Sequence, residues 1–216
     1  MENMDRHQEN WDAYYKSNPE KFDDQWLEKY VHLFDPFPAP VILDLGCGNG
    51  NNLPFLIKCS ATVYACDYSK EAIHLVSSEF PIVKTSVLDM RTPLPFASEK
   101  FEVIASDLSL HYFSKAMTER IFQELARILK QNGLLFVRVN SVLDVLHGFG
   151  KGDELEPHYF VSDGRHKRFF DSDDIDDYFG KAFRIEVKEE KKSNRSSREK
   201  ILWEIVLRKN ETDFKL

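Results

Sequence analysis

The chain is poor in several things at once, and each scarcity removes a class of protein. It has three cysteines, Cys47, Cys59 and Cys66, with no C-x-x-C pair and no cysteine–histidine cluster at zinc spacing. A disulfide framework and a structural zinc centre are therefore not expected, and no metal site is assigned. No apolar run approaches the roughly 18 to 20 residues that a membrane span needs. The opening Met-Glu-Asn-Met-Asp-Arg also has no apolar stretch of the signal-peptide kind, so a cytoplasmic protein with no membrane partner is expected. Asn194-Arg195-Ser196 fits a glycosylation acceptor but carries little weight without a secretory leader. Positive charge is short as well: 29 Lys and Arg face 36 Asp and Glu, a net charge of −7. Proteins that bind nucleic acid through phosphates draw on a basic surplus. The acidic balance thus leads to the expectation of no nucleic-acid partner. What the chain does have is apolar matter, 42% hydrophobic and 13% aromatic over 216 residues, enough for the core of one ordinary domain.

Aromatic and aliphatic residues recur at three- and four-residue spacing over 9–34, and Pro19 divides this stretch into two expected helices. Pro36, Pro38 and Pro40 form a stiff connector. Beyond it, strands expected at 41–43, 61–66, 83–88, 101–106 and 134–139 alternate with helices at 51–59, 70–78 and 116–129. Ser69 is placed to cap the second helix and Asn132-Gly133 to close the third. Such alternation means a parallel, doubly wound sheet. Residues 183–187 and 201–207, joined by the charged turn 191–200, read as an antiparallel hairpin at the sheet edge. Between Asn140 and a short helix at 173–179, which Ser172 can cap, the sequence shows no clear periodicity. Loops this long inside domains are functional or disordered.

The most informative run is Leu43-Asp44-Leu45-Gly46-Cys47-Gly48-Asn49-Gly50, between the first strand and its helix. Glycines at alternate positions let the backbone turn sharply and admit a ligand closer than side chains would. A dinucleotide turn would want its third glycine at position 51, where Asn51 stands, and no Gly-Lys-Ser/Thr ending of a Walker loop is present. Asp44 at the mouth of the turn repels phosphate and attracts an ammonium. Asp67 follows the second strand, where a carboxylate accepts from a ribose diol. Asp89 follows the third, where a carboxylate accepts from an exocyclic amine while the Met90 N–H donates to a ring nitrogen. Ammonium, ribose and adenine in a row describe S-adenosyl-L-methionine.

On these residues the chain resembles the class I S-adenosylmethionine-dependent methyltransferases over about 41–207. The resemblance implies a Rossmann-like α/β fold, a doubly wound sheet of seven strands. It is mostly parallel, with an antiparallel C-terminal hairpin whose last strand lies beside the fifth. The implied layout is a helical lid or edge segment at 1–40, a methyltransferase domain at 41–209 with a substrate-recognition insertion at 141–171, and a tail at 210–216. Asp44, Gly46, Cys47, Gly48, Asn49 and Gly50 correspond to the segment holding the methionine part, Asp67 to the ribose ligand, and Asp89 with Met90 to the adenine segment. Residues 106–111, including Asp107, correspond to the fourth-strand motif lining the transfer site.

Several positions keep two readings. Cys47 reads as a small space-filling residue rather than a nucleophile, and Tyr68 as an adenine cover or ordinary packing. Trp11, Tyr14 and Tyr15 read as a lid, with Tyr15 taken as a cofactor contact, or as a helix packed on the sheet edge. His111 is the catalytic candidate, as a base or as pocket wall. Arg138, Asn140, His158 and Tyr159 are substrate candidates, Arg138 with an ion pair as its alternative. The Arg165-His166-Lys167-Arg168 cluster is a solvated face or a seat for an anion.

The expected reaction is in-line transfer of a methyl group from S-adenosyl-L-methionine to O, N or S of a small-molecule acceptor, leaving S-adenosyl-L-homocysteine. The rivals are a nicotinamide-dinucleotide oxidoreductase and a non-catalytic cofactor-binding domain. Nothing in the sequence speaks to the oligomeric state.

Overall fold

The computed structural model describes residues 2–22, 24–193 and 199–210. The chain is laid out as α1 (Glu2–Ser17), β1 (Val41–Leu45), α2 (Leu53–Cys59), β2 (Thr62–Asp67), α3 (Lys70–Glu79), β3 (Lys84–Val87), β4 (Phe101–Asp107), α4 (Lys115–Ile128) and β5 (Leu129–Asn140). It continues through β6 (Asp153–Glu156), β7 (Tyr159–Ser162), β8 (Arg165–Arg168), α5 (Ser172–Phe179), β9 (Phe183–Ser193) and β10 (Lys200–Lys209). Seven strands form one sheet in the order β3-β2-β1-β4-β5-β10-β9, and β6-β7-β8 form a separate sheet. This is the Rossmann-like, mostly parallel arrangement with an antiparallel β9–β10 hairpin, and β10 lies beside β5. Among the described residues no helix is long and apolar enough to cross a membrane.

The chain divides into two compact units. The first comprises residues 1–94 and 101–105. Its centre is β1, whose Ile42, Leu43, Asp44 and Leu45 are buried, as suits a strand paired on both sides. Leu45 pairs with Cys66 in parallel register, and the N–H groups of Gly46 and Cys47 both donate to the Cys66 carbonyl, at 2.8 and 3.0 Å. The turn after β1 is thereby fastened to the end of β2. Ser69 caps α3 by accepting from Ala72 N at 3.1 Å, and its hydroxyl donates to Asp12 Oδ1 of α1. Pro54 stands in the first turn of α2, where its missing N–H costs nothing.

The second unit comprises 95–100 and 106–216. Ile121, Phe122, Leu125 and Ile128 form the buried stripe of α4, and Phe122 meets Phe179 of α5 with ring centroids 4.5 Å apart. Asp171 and Asp174 form a reciprocal capping box at the start of α5, so the cap stands one residue before the expected Ser172.

Three expectations change. The second N-terminal helix is only a 3-10 turn, Glu28–Phe34, because residues before it are drawn onto the glycine turn: Asn49 Nδ2 donates to the Pro19 and Glu20 carbonyls and Phe22 N donates to Asn51 Oδ1. Asn132-Gly133 does not close α4, which ends at Ile128; Asn132 takes its positive φ of 60° inside β5, with Lys209 and Arg208 donating to the Leu129 and Asn132 carbonyls. The aperiodic stretch after Asn140 holds β6, β7 and β8. Its second hairpin pairs Ser162 with Arg165 across Asp163-Gly164, both at positive φ, as a two-residue Asp-Gly turn requires. The tip of the 191–200 turn, the Asn194-Arg195-Ser196 triplet and most of the 210–216 tail lie outside the described residues.

Ser69→Ala removes both a helix cap and the hydroxyl that donates to Asp12. A loss of about 1–2 kcal/mol is expected, read as a lower urea midpoint with an unchanged slope. A midpoint within error of the parent would show that the cap contributes nothing.

Candidate active site

In the first unit the glycine turn is built for close approach. Gly46, Gly48 and Gly50 all have positive φ, 73°, 54° and 85°. A Cβ on Gly48 would stand 2.7 Å from Tyr15 Oη, so the α1 tyrosine lies directly on the turn. Trp11 stacks on Tyr15 at 6.0 Å, and Tyr14 is exposed. Cys47 is buried, and burial first, then Asp67 and Asp44, push its thiol up, so it stays protonated and fills space. Asn49, expected to face the cofactor, spends its amide on the Pro19 and Glu20 carbonyls.

Asp44 is fully buried and accepts from Asn52 Nδ2 at 3.3 Å, while Asn52 Oδ1 accepts from Trp26 Nε1 at 3.1 Å. Asp67 accepts from Gly48 N at 2.8 Å and Ser69 N at 2.9 Å. Burial pushes its carboxyl up, and these backbone donors pull it back. Leu88 N donates to the Asp67 carbonyl at 2.8 Å, which brings the Asp89-Met90 segment to the end of β2. Arg91 grips Asp89 through Nε and Nη2 at 2.8–3.0 Å, and its guanidinium lies 5.1 Å from the Tyr68 ring. The acids, the glycines, Tyr15, Tyr68 and Met90 therefore belong to one unit. Asn52, Asp12 and Arg91 were not foreseen. Arg91, two residues after Asp89, had a visible signal; the other two act across long sequence separations.

In the second unit Asp107 and Arg138 form a bidentate ion pair, 2.8 Å on both arms, with both side chains almost fully buried. Leu108 takes φ 53° and donates its N–H to the Arg138 carbonyl. His111 and Asn140 are 2% and 1% exposed, and His111 Nδ1 and Asn140 Oδ1 have no hydrogen-bond partner among the described residues. Burial holds His111 well below the usual histidine range, helped by Lys200 and Lys167 and opposed by Asp107, so the imidazole is neutral at pH 7.

His158 binds Asp174 through Nδ1 at 2.7 Å, and Tyr159 Oη donates to the Tyr112 carbonyl at 3.4 Å. The basic cluster splits. Arg168 is buried, donating to the Phe113 and Pro157 carbonyls and pairing with Glu156, whereas Arg165 is exposed and Lys167 half-buried. His158, Asp171 and Asp174 bring three potential ligand atoms within 4.8 Å of one another, but both carboxylates are engaged in the α5 cap.

Residues 42–133 match the family described as Methyltransferase domain. The fold is similar to that of a SAM-dependent methyltransferase from Methanosarcina mazei, with a TM-score of 0.71 at 19% identity over 84% of this chain and 97% of that one. Residues 42–133 carry a methyltransferase domain, on the fold of S-adenosylmethionine-dependent methyltransferases. Among curated relatives of this chain, the Gallus gallus protein named tRNA N(3)-cytidine methyltransferase METTL2 is 27% identical over 173 residues, 72% of this chain and 46% of that protein. The Schizosaccharomyces pombe protein named tRNA N(3)-methylcytidine methyltransferase trm140 is 27% identical over 195 residues, 81% of this chain and 64% of that protein. The chain thus spans about half to under two thirds of these relatives.

These relatives overturn the expectation of a small-molecule acceptor with no nucleic acid. The error was physical. Net charge sums the whole surface, whereas a ligand meets only local charge, and here burial first, then Lys200, Arg165 and Lys151, lower the Lys167 ammonium against the pull of Asp144.

The turn suits the methyltransferase cofactor. The positive-φ glycines leave a cradle that side chains would fill, the buried Asp44 carboxylate matches an ammonium, and Asp67 keeps lone pairs beyond its two backbone bonds.

Gly48→Ala should strain the turn and press on Tyr15, lowering stability by about 1–2 kcal/mol. Adding Tyr15→Ala should recover the steric part but not the part due to φ, so the two effects in a double-mutant cycle should not add. Additive effects would place Tyr15 away from the turn. For His111, the unfolded imidazole binds a proton below its ordinary value near 6.5 and the folded one does not. Stability is therefore complete above that value and declines as pH falls below it, by up to about 1.4 kcal/mol per pH unit. Urea midpoints from pH 8 to 5 should show this slope, and His111→Gln should flatten it; equal slopes would mean the histidine is charged when folded.

Proposed function

We propose that this chain transfers the methyl group of S-adenosyl-L-methionine to a ring nitrogen of a base in RNA, leaving S-adenosyl-L-homocysteine. The observation carrying the acceptor half is the pair of buried, unpartnered polar atoms, His111 Nδ1 and Asn140 Oδ1. Burying such atoms unpaired costs about 1–3 kcal/mol each, a cost that a hydrogen-bonding ligand offsets. The names of the two tRNA methyltransferase relatives point the same way.

When bound, the cofactor supplies an electrophilic methyl group on a sulfonium. Asp44 and the glycine turn hold its amino-acid end, Asp67 accepts from the ribose hydroxyls, and Tyr68 and the Met90 N–H address the adenine. On the acceptor side, Asn140 Oδ1 accepts from an exocyclic amine, and His111 Nδ1 meets a second polar atom of the base edge. A ring nitrogen with a free lone pair has no proton to lose, so no general base is required. Orientation then carries the rate, worth about 7–11 kcal/mol. A neutral His111 suits this chemistry, because the methylated ring becomes cationic and an adjacent imidazolium would oppose it.

Two measurements test the two halves. Asp67→Ala should weaken S-adenosyl-L-homocysteine binding by roughly 1.5–3 kcal/mol in calorimetry, and unchanged affinity would remove Asp67 from the cofactor site. With methyl-tritiated cofactor and pooled tRNA, label should enter the RNA and appear on a ring nitrogen after nucleoside digestion. His111→Ala and Asn140→Ala should each lower kcat/KM by roughly 10- to 100-fold. Cofactor binding with no label in RNA would defeat the acceptor reading.

A further inference from the structure

We infer that the second unit carries a phosphate-binding subsite, formed by Lys151 on the Gly148–Gly152 loop, Arg165 and Lys167 on β8, and Lys200 at the start of β10. That its ligand is a phosphate of the acceptor RNA rests on the proposed function; that it binds phosphate does not.

The loop is a rigid presenter. Gly148, Gly150 and Gly152 have φ of 125°, 72° and 84°, and a Cβ on Gly152 would stand 2.1 Å from the Val161 carbonyl oxygen, so only glycine lets the loop lie on β7. Phe149 anchors it against Phe160 and Phe169, each at 5.6 Å, and Lys151 N closes the turn on the Gly148 carbonyl at 3.1 Å. Lys151 stands exposed on this loop.

Lys167 pairs in register with Phe160, and its ammonium donates to the His147 carbonyl at 3.1 Å. Burial lowers its proton affinity, and Lys200, Arg165 and Lys151 lower it further, with Asp144 opposing. Asp144 is itself almost fully buried and already engaged by Lys200 at 3.0 Å and His147 at 2.7 Å. Among the described residues, Lys151, Arg165 and Lys167 have no carboxylate in ion-pair range. Three of the four cations thus stand outside ion-pair range of a carboxylate, and surface lysines left free to move would spread apart. An arrangement that holds like charges together is relieved by a bound anion, and several donors around one point suit a phosphate.

Backbone bonds link this group to the unpartnered atoms. Arg168 N, next to Lys167, donates to the His111 carbonyl at 2.7 Å, Phe170 N donates to the Asn140 carbonyl at 2.9 Å, and Ser141 N donates to the Ile201 carbonyl beside Lys200 at 3.2 Å. Lys167 and Lys200 both act on His111 electrostatically. Two ammonium groups would also oppose a base becoming cationic on methylation, and a bound phosphate cancels that opposition.

The test uses the full chain and three probes: cytidine 5′-monophosphate, cytidine and inorganic phosphate, titrated calorimetrically at two salt concentrations. The nucleotide should bind roughly tenfold or more tightly than the nucleoside, with the advantage shrinking at high salt. Lys151→Gln, at an exposed position on the loop, and Lys167→Gln should each reduce that advantage while leaving S-adenosyl-L-homocysteine affinity unchanged. Equal affinity for nucleotide and nucleoside, or an advantage untouched in both variants, would overturn the subsite. Inorganic phosphate binding that both variants lose, together with no methyl transfer to RNA, would uphold the subsite as one for free phosphate and defeat the RNA reading. RNA methylation indifferent to both substitutions would do the reverse.

Discussion

The carboxylate of Asp67 is the constraint on which the first unit turns. It ends β2, accepts from Gly48 in the turn after β1, and accepts from Ser69, the cap of α3. One buried side chain thus sets the relation of two strand ends and a helix start. It could do so only from a position where the backbone N–H groups offset its burial. The same carboxylate that braces the turn is the one proposed above to accept from the ribose hydroxyls.

Residues 12–22 join this arrangement through polar links and the Tyr15 ring. Asp12 receives the Ser69 hydroxyl and Glu71 N, Asn49 and Asn51 hold residues 19–22, and Tyr15 rests on Gly48. Each link ends on the turn or on α3. Whatever α1 does to ligand access is therefore coupled to the turn itself.

The second unit solves a different electrostatic problem. Asp107 and Arg138 neutralise each other where neither would be tolerated alone, and His111 is kept neutral by burial and by cations. These choices leave a polar but uncharged interior at His111 and Asn140, with positive charge gathered on the Gly148–Gly152 loop, β8 and the start of β10. Such a distribution suits a ligand that is neutral in one part and anionic in another.

Much of this was legible in the residues. The β1 run into alternate glycines, with Asp44, Asp67 and Asp89 after successive strands, required only period and turn chemistry, which are local. The Asp163-Gly164 turn is a local signal too, but the flanking strands, four residues each, are too short for alternation to stand out. The early end of α4 and the shrunken second N-terminal helix were not legible, because their causes are Lys209 and Arg208 in one case and Asn49 and Asn51 in the other. The sequence by itself determined the strand ends that carry Asp44, Asp67 and Asp89, because those depend on neighbouring residues and backbone torsions. Only the tertiary structure decided which charges cancel and which accumulate: that Arg138 belongs to Asp107, that Arg168 is buried scaffold, and that Lys167 and Lys200 reach the His147–Asp144 pair from two strands. Charge acts through space, and a separation of 56 residues along the chain vanishes when strands pair, as Lys200 beside Asp144 shows.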